Sequence, residues 1–157
     1  MGSDSTTARR VVTGLDEDGN SYVWIDDDVP KNAFFNSTER LTSRTIWATD
    51  TVPAPLQKKH DPMVDWFPEH EWFPKTGVHF IYLTMEPGVT NSMHVSETID
   101  CLVIVSGQIE LILEKGSTIL GPGDCLVQRG TQHGWRVIGD EPCTFAGILI
   151  AKKSEDG

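Results

Sequence analysis

From Val78 to Ile150 the chain is a succession of short segments rich in β-branched and aromatic residues, and Gly or Pro separates nearly all of them. The segments are Val78–Met85, Cys101–Val105, Gln108–Glu114, Thr118–Leu120, Cys125–Val127, Gly134–Ile138 and Cys143–Ile150. Short strands at this spacing, with no helical pattern between them, are typical of β-sandwiches and barrels. The sequence therefore predicts an all-β sandwich or barrel over residues 77–152.

The rest of the chain divides into three segments and a short tail. Residues 11–52 contain further strand candidates, which we expect to pack on the barrel. Residues 53–76 interleave Pro with Trp and Phe; Pro interrupts strand ladders and large aromatic side chains are costly to expose, so a lid or an oligomer interface is expected. Residues 1–10 and 153–157 are polar and are expected to be flexible.

Composition narrows the possible partners. The 157 residues carry a formal net charge of -10, which argues against binding to nucleic acid or to anionic membranes. No run approaches the roughly 20 apolar residues that span a bilayer, and the polar N-terminus lacks the apolar core of a secretory signal. We therefore expect a cytoplasmic protein whose partner is a small molecule.

Two stretches of the β-rich region form recognisable motifs. The residues at their key positions are Gly88, His94, Asp100 and Gly107 in the first, and Pro122, Gly123, Asp124, Gly130 and His133 in the second. In type and spacing they resemble the two signature motifs of the cupin superfamily, and the short interval between them suits a small single-domain member. The resemblance covers about residues 75–150 and implies a double-stranded β-helix, the RmlC-like jelly-roll barrel.

The resemblance also implies a metal site, although the first motif is altered. Metal-bearing cupins use two His and a Glu from the first motif and a His from the second; here Ser96 replaces the second His and Asp100 replaces the Glu. The remaining ligands would be His94, Asp100 and His133, a set that suits iron, zinc, manganese or nickel. Ser96 is a poor ligand and is expected to act as a hydrogen-bond partner.

Spacing alone places most of these groups together. Even intervals separate His94, Ser96 and Asp100, so a continuous strand would direct all three to one face. His133 would approach from the opposing hairpin. His79 shares a strand face with apolar residues and would supply a further ligand or a general base if that face looks inward. The alternative for His79 is an ordinary surface position.

Aromatic residues suggest the kind of substrate. Trp135 follows His133 by two residues and would share its face, where it would form an apolar wall. Further candidates for the lining are Phe80, Tyr82, Trp66 and Trp72, and Arg129 is a candidate partner for an anionic group. Such a pocket suits an aromatic or polyketide-like metabolite. Core packing is the alternative for each aromatic side chain.

Three functions compete on this evidence. The preferred one is a non-redox lyase, decarboxylase or isomerase that uses His and Asp for acid–base chemistry, with or without a metal. The alternatives are a non-haem iron dioxygenase and a ligand-binding cupin without catalysis. The altered ligand set would hold a redox iron less securely than four residues would, which favours the first. By analogy with other cupins, we expect a homodimer.

Overall fold

The computed structural model describes residues 8–29, 40–56, 60–65 and 73–153. These residues form eleven strands and one short helix. The strands are β1 (Ala8–Leu15), β2 (Ser21–Val29), β3 (Leu41–Thr49), β4 (Val78–Met85), β5 (Thr90–His94), β6 (Thr98–Ser106), β7 (Gln108–Leu113), β8 (Gly116–Leu120), β9 (Cys125–Arg129), β10 (His133–Ile138) and β11 (Cys143–Ala151), and the helix is α1 (Pro62–Asp65). The prediction of an all-β jelly-roll barrel is confirmed.

The barrel consists of two antiparallel sheets packed face to face. The five-stranded sheet has the order β3-β4-β11-β6-β9, and the four-stranded sheet has the order β5-β10-β7-β8. Burial alternates along the strands, as expected where one face packs on a core and the other faces outward. Both sheets contribute to one apolar core, which includes Ile81, Leu102, Phe145, Ile109 and Trp135.

Glycines allow two of the connecting turns. Gly88 and Gly107, the first and last glycines of the first motif, adopt φ of 74° and 73°, a region that side chains with a Cβ rarely enter. A Cβ at Gly107 would also lie 2.2 Å from the carbonyl oxygen of Pro142. This position therefore needs glycine for both conformation and space.

The N-terminal strands are more extensive than the sequence indicated. Strand β1 begins at Ala8, so residues 8–10, which we assigned to a flexible terminus, are part of a strand. Strand β3 pairs with β4 along its length and completes the five-stranded sheet, whereas β1 and β2 form a separate hairpin. Residues 57–59 and 66–72 of the expected lid lie outside the described residues. None of the described helices is long and apolar enough to cross a membrane.

A buried arginine fastens the hairpin to the rest of the chain. Arg10 is only 6% exposed, and its guanidinium donates hydrogen bonds to both Asp27 and Asp61. These two carboxylates raise the pKa of Arg10 further above its ordinary value. Asp61 precedes α1 and also caps it, since its side chain accepts the backbone N–H of Met63. Arg10 thus joins β1, β2 and α1.

Replacing Arg10 should destabilise the fold far more than replacing its neighbour. Arg10→Met leaves two carboxylates without their shared cation, and we expect a loss of about 3 kcal/mol in the free energy of unfolding. Arg9→Met is the matched control, because Arg9 forms an exposed pair with Asp26 and its loss should change the free energy of unfolding much less. Urea unfolding followed by circular dichroism measures both. Equal losses would contradict a fastening role for Arg10.

Candidate functional site

The candidate site lies where two cross-strand pairs meet at one end of the barrel. In the four-stranded sheet His133, at the start of β10, pairs with His94, at the end of β5. In the five-stranded sheet Asp100 of β6 pairs with Gln128 of β9. A hydrogen bond between Gln128 and His133 joins the two pairs. Each sheet therefore contributes one pair of polar side chains to the interior.

Asp100 is a buried carboxylate held by three side-chain donors. It is 4% exposed, and Thr98 Oγ1 donates to its Oδ1 at 2.5 Å. Its Oδ2 accepts hydrogen bonds from Ser96 Oγ at 3.3 Å and from Gln128 Nε2 at 2.9 Å. A buried carboxylate is tolerated only where hydrogen bonds replace its water, and these donors, two hydroxyls and an amide, do so.

Gln128 determines which nitrogen of His133 carries the proton. Because the Asp100 carboxylate can only accept, the Gln128 amide must direct its NH₂ group toward it. The same Nε2 lies 3.0 Å from His133 Nε2, which therefore accepts the second amide proton. His133 Nδ1 donates to the Thr131 carbonyl at 2.8 Å. His133 is thus neutral, protonated on Nδ1, with its Nε2 lone pair on Gln128.

His94 repeats this arrangement nearer the solvent. Its Nδ1 donates to the Ser92 carbonyl at 2.8 Å, so Nε2 is the basic nitrogen of the neutral ring. The His94 and His133 rings lie 4.2 Å apart between centroids and are tilted by 58°. His94 is half-buried, whereas His133 is only 2% exposed. His94 is therefore the imidazole that an entering molecule reaches first.

Burial controls the charge of His133. It lowers the pKa of His133 below the ordinary value, and the neighbouring His94 lowers it further. The Thr131 carbonyl and the Asp100 carboxylate act in the opposite direction without reversing the shift. The neutral imidazole, which can accept a proton, is consequently the favoured form near neutral pH.

The prediction that one continuous strand carries His94, Ser96 and Asp100 is wrong. Strand β5 ends at His94, residues 95–97 cross from one sheet to the other, and β6 begins at Thr98. The three side chains still converge, because the crossover places Ser96 against Asp100. The even spacing thus predicted that Ser96 lies beside Asp100, although the single continuous strand on which that prediction was based is not formed.

The expected metal ligands do not form a metal-binding cluster. Among the described residues, no group of three or more His, Cys, Asp or Glu side chains could hold a metal ion. Asp100 is separated from His133 by the Gln128 amide, which occupies a lone pair on each of them. The two imidazoles suit a metal, but the carboxylate does not complete the set in this arrangement.

His79 faces the interior from a strand two places away from that of Asp100. It is 1% exposed and shares the inner face of β4 with Ile81, as the inward alternative required. In register, Leu149 of β11 lies between His79 and Asp100. Two strand spacings, roughly 10 Å, therefore separate the backbones of His79 and Asp100. The role of His79 as a further ligand or a general base stays a prediction.

The proposed lining residues divide between the two faces of the sheets. Trp135 is 5% exposed, and its ring lies edge-on to His133 at 5.8 Å and stacks on Phe145 at 5.7 Å. Phe80 and Tyr82 alternate with the inward residues of β4 and therefore lie on the outer face, where Phe80 is 41% exposed. Arg129 is exposed on the outer face of β9. Because they alternate with inward residues along their strands, Phe80, Tyr82 and Arg129 do not line the interior. Trp66 and Trp72 lie outside the described residues.

Gln128 is the site residue that the sequence argument missed. The sequence analysis proposed Arg129 from this strand, but in β9 the inward positions are Leu126 and Gln128. The available signal was parity: Gln128 lies between Val127 and Arg129, so its side chain faces the side of the strand opposite to theirs. That signal needs the strand to be regular up to its end, which the sequence alone did not establish.

The shifted pKa of His133 predicts a dependence of stability on pH. Because the folded protein holds a lower pKa than the unfolded chain, the unfolded chain binds more protons between the two values. Stability should be full above about pH 6.5 and should fall as the pH drops below it. Nitrogen-15 spectra of the imidazoles, recorded against pH, should show Nδ1-protonated His133 titrating below a urea-unfolded reference. Titration above that reference would contradict this assignment.

Comparison with known proteins agrees with the fold. Residues 81–150 match the Cupin_2 family model, described as a cupin domain. Among solved structures, KdgF from Halomonas sp. superposes with a TM-score of 0.51 at 14% identity, over 78% of this chain and 87% of that one. At this identity the likeness concerns the fold alone.

Two fungal relatives are similar in sequence. The cupin-domain-containing oxidoreductase srdD of Neurospora crassa is 32% identical over 80% of this chain and 64% of its own length. Oryzines biosynthesis cluster protein J of Aspergillus oryzae is 33% identical over 55% of this chain and 50% of its own. The chain thus spans less than two thirds of either relative. Together with the barrel and its motifs, these matches show that residues 81–150 form a cupin domain.

Proposed function

We propose that this cupin is a small-molecule enzyme in which His94, positioned by His133, transfers protons in the manner of a lyase, decarboxylase or isomerase. The observation that supports it most is the Asp100–Gln128–His133 hydrogen-bonded chain, which ends 4.2 Å from the half-buried ring of His94. Both rings present Nε2 as their basic nitrogen. A half-buried base with a fixed tautomer, held in place by a second imidazole, suits the removal of a proton at one atom of the substrate and its return at another.

The two histidines have different roles in this proposal. His94 is the group that meets the substrate, since it is the more exposed of the pair and its Nδ1 is fixed by Ser92. Its Nε2 takes a proton from a carbon beside a carbonyl group. His133 is a positioning residue that holds the adjacent ring in place, and the Asp100 charge beyond Gln128 favours the imidazolium that forms. Ser96 supports Asp100 with a single hydrogen bond of 3.3 Å.

The substrate class follows from the same neighbourhood. Trp135 presents an apolar ring edge-on to His133, and its stacking on Phe145 keeps that wall rigid. Flat apolar walls beside a few fixed polar groups suit an aromatic or polyketide-like metabolite that can enolise. A relative named for a biosynthesis cluster is consistent with a metabolite of this kind.

Exchange of substrate protons with solvent tests the proposal directly. We expect the protein in D₂O to exchange the α-protons of enolisable aryl β-diketones faster than buffer does. His94→Ala and His133→Ala should each reduce this rate by about 10²-fold or more, whereas Ser96→Ala should reduce it less than about tenfold. Proton NMR measures the rate, and circular dichroism checks that each variant is folded.

Added imidazole separates the two histidine roles. Because His94 is half-buried and His133 fully buried, free imidazole should restore exchange to His94→Ala but not to His133→Ala. The matched control is His60→Ala, which changes an exposed histidine outside the barrel and should leave exchange unaltered. If His94→Ala and His133→Ala both retained the wild-type rate of proton exchange with every aryl β-diketone, the assignment of these residues would fail.

An oxidoreductase is the second candidate, and the name of the Neurospora crassa relative favours it. An oxygen electrode distinguishes the two with the same panel of diketones. Uptake of one oxygen molecule per turnover, dependent on added iron(II), would support the oxidoreductase. Proton exchange without oxygen uptake would support the acid–base enzyme.

We also propose that the protein is a homodimer formed through the outer face of its five-stranded sheet. Side chains in register across this face form an outer apolar row, which consists of Trp47, Phe80, Ile148, Cys101 and Val127. Phe80, Ile148 and Val127 are 41%, 37% and 61% exposed. An uncharged row on a chain of net charge -10 is suited to contact with a second copy.

A charge in the outer apolar row should weaken the dimer. Ile148→Lys and Val127→Lys would each bury an unpaired ammonium, and we expect at least about a tenfold rise in the dissociation constant. Ile119→Lys is the matched control, because Ile119 is 57% exposed on the other sheet. Sedimentation equilibrium measures all three, and a monomeric wild-type protein would contradict the proposal.

A further inference from the structure

We propose that Gln128 keeps divalent metal ions out of this site, so that a cupin with most of a metal-ligand set works without one. The inference deepens the proposed function. It rests on that function only because both concern the same residues. It assigns to Gln128 a role in selectivity that follows from its hydrogen bonds and its burial.

The two imidazoles are already arranged as metal ligands usually are. Each uses Nδ1 to donate to a backbone carbonyl two residues earlier, Ser92 for His94 and Thr131 for His133. This bond fixes the ring and leaves Nε2 as the nitrogen that could bind a metal. A nearby carboxylate would complete a set of two histidines and one acid. Asp100 is that carboxylate, but the Gln128 amide lies between it and His133.

Gln128 occupies the lone pairs that a metal would need. Its Nε2 donates to Asp100 Oδ2 at 2.9 Å and to His133 Nε2 at 3.0 Å, so a metal bound by both would have to displace the amide. The remaining side-chain donors to Asp100 are Thr98 and Ser96, one on each oxygen. Oδ2 thus accepts from both Ser96 and Gln128, and the carboxamide lies between this oxygen and the imidazole, where a shared cation would have to bind.

The amide is fixed in this orientation. Gln128 is 3% exposed, and strand pairing with Asp100 holds its backbone. Its Oε1 is buried and has no hydrogen-bond partner among the described residues. Turning the amide over would bring Oε1 against the Asp100 carboxylate and would remove the donor from His133. The side chain thus tolerates an unsatisfied oxygen in order to keep both N–H bonds.

A single change of atoms should convert the site. Gln128→Glu replaces the amide nitrogen by oxygen, so that two carboxylates and two imidazoles surround one point and their repulsion favours a cation. Gln128→Ala removes the amide and frees His133 Nε2 and Asp100 Oδ2. Gln132→Glu is the matched control, since it adds the same charge to an exposed position of the adjacent turn.

The test uses the protein without a histidine tag and Co²⁺ as the probe, with Zn²⁺ in competition. We expect no stoichiometric Co²⁺ on the wild-type protein or on Gln132→Glu, and binding at least about tenfold tighter in Gln128→Glu and Gln128→Ala. Visible absorption and elemental analysis after gel filtration report binding. Adding His133→Ala to either variant should abolish the gain. Circular dichroism shows whether each variant is folded, and one folded variant of the two is enough to test the inference.

Two results would overturn the inference. One is wild-type protein that binds one Co²⁺ and loses it in His133→Ala; the other is folded Gln128 variants that bind Co²⁺ no more tightly than the wild type. Neither result decides the acid–base proposal, which the proton-exchange assay judges separately. Absent exchange in a metal-free protein would instead defeat the proposed function and leave the role of Gln128 intact.

Discussion

The site depends on a carboxylate removed from water. Asp100 is 4% exposed, and two hydroxyls and one amide donate hydrogen bonds to it. Its inability to donate a hydrogen bond fixes the Gln128 amide, and the amide in turn fixes the lone pair of His133. The protonation pattern of the whole site therefore follows from one buried negative charge and the order of its contacts.

The barrel makes this chain of contacts possible because the two sheets meet at the site. The β9–β10 turn carries the chain from the five-stranded to the four-stranded sheet within five residues, so Gln128 and His133 can hydrogen-bond across it. Residues 95–97 make the equivalent crossing from β5 to β6 and bring Ser96 onto Asp100. Both crossings bring polar side chains from one sheet to the other at the same end of the core.

The sequence predicted the fold more fully than the details of the site. Alternating apolar residues and glycine turns were enough to locate β4 and the strands from β6 onward, since these signals are local. The inward position of Gln128 and the outward positions of Phe80, Tyr82 and Arg129 depend on strand parity, which a shift of one residue reverses. The break between His94 and Asp100 was hidden because even spacing is also compatible with two strands and a crossover. Pattern alone could not separate these cases.

Neutron diffraction from a deuterated crystal tests the central claim most directly, because it locates the protons on which the account depends. We predict two deuterons on Gln128 Nε2, one directed at Asp100 and the other at His133 Nε2, and a His133 ring with a deuteron on Nδ1 alone. A deuteron on His133 Nε2, or a metal ion bound between His133 and Asp100, would contradict the account.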